Sequence, residues 1–148
     1  MRLISALITA AVAWPLAASA QTDSARAYGA SFEHAAACIA ALRPHAAELA
    51  DRYRAGDASV SRELIGLTES SLSIVGVAIR DGLRKEEADM LLASAEEFQR
   101  SVPASKMAAL VTACRAEGDA ILADATAEDR ARTVAAARAR IGRMRTGG

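Results

Sequence analysis

Aromatic side chains are almost missing from this chain: one Trp, two Tyr and two Phe among 148 residues. With so few ring faces there is no platform for stacking on nucleic-acid bases. β-branched residues are also sparse outside residues 60–79, which disfavours a sheet-based core. Formal charge balances at zero, so nothing draws the chain to polyanions in general. These absences together exclude nucleic acid as a partner. Catalytic and cofactor signatures are lacking too. The two cysteines and two histidines form no CxxC, CxxCH or HExxH, and there is no GxSxG elbow or glycine-rich phosphate loop. The chain reads as a non-enzyme without a cofactor.

Long apolar runs are absent except at the start. Arg2 is followed by an apolar stretch over residues 3–16, and Ala18-Ser19-Ala20 has the small-x-small form that a signal peptidase cuts. The run is shorter than the roughly 20 residues a bilayer span needs, and Pro15 interrupts it. Residues 1–20 are therefore expected to be a cleavable signal peptide and residues 21–148 a single domain. The protein is expected in the periplasm or secreted, with no stable transmembrane segment after cleavage. An exported chain meets an oxidising compartment, and two cysteines allow one connectivity, Cys38–Cys114.

What the sequence does contain is alanine and helical periodicity. Tyr28, Phe32, Ala35, Ile39, Leu42, Ala46, Leu49 and Tyr53 recur at steps of four and three, a helical seam. Pro44 falls inside it and predicts a kink or a break near Arg43. Gly56-Asp57 closes this unit. A second helix is expected from about residue 57 to 80, with half its circumference apolar. A third is expected over residues 85–101, its first turn rich in acids, and a fourth after Pro103 with Met107, Leu110, Val111, Cys114, Ile121 and Leu122 inward. The fifth begins at Thr126, whose spacing from Asp129 resembles a capping box. Short connectors make antiparallel neighbours. The fold class is all-α, an up-and-down bundle of four to five antiparallel helices with the first kinked near Pro44.

Three places carry candidate chemistry. His34, Cys38 and His45 lie along one strip of the first helix, since their spacings amount to net turns of about 40° and about −20°. Histidine and thiolate suit zinc or copper. Against this, both histidines face away from the apolar seam, and Cys114 competes for the sulfur. The preferred reading is a structural disulfide. The alternative is a periplasmic metal-binding or chaperone-like stress protein using His34, Cys38 and His45. The hydroxyl run Thr68-Glu69-Ser70-Ser71-Leu72-Ser73 is expected to bond back to its own helix, with Glu69 in a solvated ion pair with Arg62 or Arg80. The fifth helix is the most basic part of the chain, and Arg138, Arg140 and Arg145 flank its apolar stripe. They are the first choice for a face that meets an unknown protein or an anionic envelope surface.

Overall fold

Alternating steps of four and three put Phe32, Ala35, Leu42 and Leu49 on one line, and all four are buried along α1 (Ala20–Arg54). The structure is a computed structural model that describes the backbone of residues 20–146 and the side chains of residues 32–144. The expected leader lies outside the described residues except for Ala20, as does the side chain of Tyr28. Pro44 lies inside α1, which runs on to Arg54 without a break. Pro44 itself is exposed, and buried Leu42 and Leu49 anchor the helix on either side of it.

Gly56, at φ 98°, reverses the chain in the left-handed region that glycine adopts without strain. Asp57 then caps a single 3-10 turn (Ala58–Val60) by accepting from the Ser59 amide at 3.0 Å. α2 (Ser61–Arg80) follows and buries Leu64, Leu67, Ser70, Ser73, Ile74 and Ala78. Gly82, at φ 106°, ends it. α3 (Lys85–Gln99) opens with Glu86 and Glu87 at the positive end of its dipole. Pro103 caps α4 (Ala104–Asp124), and α5 (Ala127–Thr146) begins after Thr126.

The result is the all-α up-and-down bundle expected from the periodicity, five helices with no strand among the described residues. α1, α2 and α4 pack on one another and make the centre; α3 leans on α1, and α5 leans chiefly on α2. Gln99 of α3 donates to the Ala37 carbonyl of α1 at 2.8 Å, and Arg43 pairs with Glu96 at 2.5 Å, which together hold α3 in place. Arg130 of α5 folds back on the end of α4 and donates to the carbonyls of Leu122, Ala123 and Ala125. It thereby satisfies acceptors that no helical amide reaches. None of the described helices is long and apolar enough to cross a membrane.

Candidate functional site

Because α3 and α5 lean on different parts of the central helices, the α1–α2 seam is left partly open between them. Near α3, Ala35, Ala36 and Ile39 of α1, Val75, Ala78 and Ile79 of α2, Leu83 of the connector, and Ala88 and Leu92 of α3 enclose a trough of about 380 Å³. A second trough of about 350 Å³ continues toward α5, with Ala46, Ala47, Leu64, Leu72 and Met144 among its walls. The two meet at Ile39 and Val75, which belong to both. Ile79 stands 59 % exposed at the edge of the first. An exposed large aliphatic beside an apolar hollow is surface that water covers at a cost, which a partner's side chain removes.

The rim is cationic. Arg84 and Lys85 border one end, and Arg43, Arg54 and Arg140 border the other. Three of the five are engaged within the chain: Lys85 with Asp89 at 2.6 Å, Arg43 with Glu96, and Arg54 with Asp51 at 2.7 Å. The hydrogen bond that the Lys85 ammonium donates to Asp89 holds its pKa above the usual range. Arg84 and Arg140 have no ion pair among the described residues.

The arginines singled out on α5 are divided by this geometry. Arg140 borders the apolar trough, whereas Arg138 opens onto a separate polar hollow of about 860 Å³ with Arg62, Glu69, Arg115 and Asp119. The side chain of Arg145 lies outside the described residues. Glu69 departs from its expected pairing: it makes no ion pair among the described residues, and Arg80 lies instead 3.9 Å from Asp129 across the α2–α5 contact. Arg80 sits near the end of α2, where the start of α5 brings it an acid that no spacing within α2 foretells.

The sulfurs lie between α1 and α4, among residues that line neither trough. Cys38 and Cys114 form the expected disulfide, with Cα atoms 5.2 Å apart and both side chains buried. His34, one turn before Cys38, has Nε2 3.7 Å from the Cys38 sulfur and 2.6 Å from Oε2 of Glu117. The structure thus joins His34 and Cys38 but replaces His45 in the trio with Glu117. His45 points to α2, where its Nε2 is 3.0 Å from Glu63, and this contact holds the Glu63 carboxyl below its usual range. Glu117 had a sequence signal: in antiparallel helices cross-linked at Cys38 and Cys114, the residue one turn before the first faces the residue one turn after the second.

The hydroxyl run behaves as expected. Thr68, Ser70, Ser71 and Ser73 each donate to the carbonyl four residues back, at 2.7–2.9 Å. Ser70 also reaches Asp119 of α4. Thr68 and Ser71 also border the second trough, beside Leu72. Comparison with known proteins leaves this geometry to stand by itself, since no family model, curated sequence or solved structure matches the chain.

Proposed function

We propose that the protein is an exported, non-catalytic binding protein of the cell envelope that seats an apolar, acid-flanked segment of a partner protein in the α1–α2 trough. The observation that carries this reading is the largely apolar floor from Ala35 to Met144, broken by the hydroxyls of Thr68 and Ser71, with Arg84 and Lys85 at one end and Arg43, Arg54 and Arg140 at the other. A segment with leucine-like side chains fills the floor, and acids at its ends meet Arg84 and Arg140. Export is supported by the signal-like pattern over residues 1–20 and by a disulfide of the kind that oxidising compartments preserve.

A photo-reactive amino acid placed at Ile79 in the living cell tests this. A discrete cross-linked adduct in the envelope fraction is expected from Ile79. None is expected from Met90, which is 68 % exposed but outside the trough. Equal labelling from both positions, or no adduct, discards the reading. Arg140→Glu should reduce the adduct severalfold and Arg138→Glu should leave it unchanged, because only Arg140 borders the apolar floor. Rim charges act chiefly on the association rate, so the yield should also fall with added salt.

A further inference from the structure

The sulfur cluster between α1 and α4 holds chemistry that the binding trough does not use. His34 and Cys38 are four residues apart on α1, and Cys114 and Glu117 are three apart on α4, so each pair projects from one helical face. The helices run antiparallel there, and four donor groups converge. The donor atoms of His34, Cys38 and Glu117 all lie within 4.8 Å of one another, and the Cys114 sulfur is bonded to that of Cys38. The sulfurs are buried, while the His34 and Glu117 side chains are 52 % and 40 % exposed. The cluster therefore has buried sulfurs at its base and an imidazole and a carboxylate at the surface above them.

With the disulfide closed, neither sulfur is a thiolate and only two donors remain. Opened, the same four side chains offer S, S, N and O. Zinc takes those donors tetrahedrally, at about 2.3 Å to sulfur and about 2.0–2.2 Å to nitrogen and oxygen. We infer that reduction of the Cys38–Cys114 disulfide creates a zinc site formed by His34 Nε2, Cys38 Sγ, Cys114 Sγ and Glu117 Oε2, so that the disulfide is a redox gate on metal binding.

The reaction balances with a dithiol reductant. Its thiolate attacks one sulfur, the protein S–S bond breaks, and the reductant's second thiol resolves the mixed disulfide. Two electrons and two protons pass to Cys38 and Cys114, and the reductant leaves as its own disulfide. Zinc then displaces both thiol protons and takes the lone pair of neutral His34. A disulfide oxidant reverses the step: a zinc-bound thiolate attacks it, the second protein sulfur resolves the mixed disulfide, the two electrons leave with the oxidant as its dithiol, and the ion is released. Ligand atoms on one tetrahedral zinc lie about 3–4 Å apart. The 3.7 Å between His34 Nε2 and the Cys38 sulfur already matches that spacing. The His34–Glu117 contact must open by roughly 1 Å, which two half-exposed side chains accommodate.

The test uses the full chain, oxidised and reduced by a phosphine that does not hold metal, titrated anaerobically with zinc against a chromophoric chelator. The reduced chain should bind one equivalent and the oxidised chain none. Cobalt in place of zinc should give thiolate-to-metal charge-transfer bands and the visible spectrum of a tetrahedral ion. His34→Ala and Glu117→Gln should each weaken zinc binding more than tenfold, and His45→Ala should not. Circular dichroism accompanies each titration. If reduction alone melts the helices, zinc should restore them in the native sequence and fail to do so in His34→Ala. A reduced chain that ignores zinc, binding indifferent to His34, or equal binding by the oxidised chain overturns the inference. Those outcomes leave the trough untouched, because no residue is shared between the two sites.

Discussion

At the scale of single residues, the closest approach at any of the described glycines is where Gly118 of α4 meets Ser70 of α2. A Cβ added at Gly118 falls 2.5 Å from the Ser70 carbonyl oxygen and 2.7 Å from its Cβ. The obstruction is largely backbone, so no side chain can swing aside. Gly118→Ala should push α2 and α4 apart and lower stability by about 1–3 kcal/mol, the usual range for overpacking. Gly76 of α2 is the contrasting case, with nothing within 4 Å of an added Cβ. There, Gly76→Ala should raise stability by about 0.5–1 kcal/mol through helix propensity alone. Urea unfolding of both variants checks the pair, and a Gly118→Ala midpoint equal to the native one would deny the close crossing. The back-bonded hydroxyls of α2 were legible in the sequence because their partners sit four residues away. Gly118 was not. Its role depends on which helix lies across from it, and that pairing is far removed along the chain.

At the scale of elements, most helix limits were legible because their signals are local. Thr126 shows this: its hydroxyl accepts from the Asp129 amide at 3.1 Å and donates to the Asp129 carboxylate at 2.9 Å. Thr126→Ala should cost about 1 kcal/mol, as loss of an N-cap does, and should fray the start of α5 in amide exchange. Pro44 was less legible, since the sequence shows the proline but not the packing of Leu42 and Leu49 that keeps α1 continuous. The same junctions set the acid limb of stability. Hydrogen bonds from Ser59 and Arg52 hold Asp57, and those from Arg132 and Thr126 hold Asp129, below the ordinary value of 3.8. His45 holds Glu63 below its ordinary 4.5. Between the ordinary and lowered values the unfolded chain binds protons that the folded chain does not. The stabilisation is therefore complete above about pH 5 and fades as pH falls through the lowered values. Melting temperature measured from neutral pH downward should drop below about pH 4, and Asp129→Asn should flatten part of that slope.

At the scale of the whole molecule, the cross-link was legible from cysteine count and the expected compartment, whereas the trough was not. Ala35, Ile39, Val75 and Leu92 all sit on apolar helical faces, and periodicity alone assigns such residues to the core. Only the way α3 and α5 lean apart leaves them lining a hollow. The centre is correspondingly thin: its fully buried large side chains are Leu42, Leu49, Leu64 and Leu67, with the two half-cystines and Ser70. Such a core depends heavily on restraint of the unfolded chain. Cys38 and Cys114 are 76 residues apart, and closing a loop of that length contributes about 4 kcal/mol in the chain-entropy account. The Cys38→Ser, Cys114→Ser double variant should lose about that amount in guanidinium unfolding. Its dependence on denaturant should steepen as well, because the released unfolded chain expands and exposes more surface. A loss below about 1 kcal/mol would mean that packing of α1, α2 and α4 suffices by itself. In that case reduction leaves a folded cluster of four ligands ready for metal. A full loss makes zinc, when it binds, the replacement for the bond that was opened.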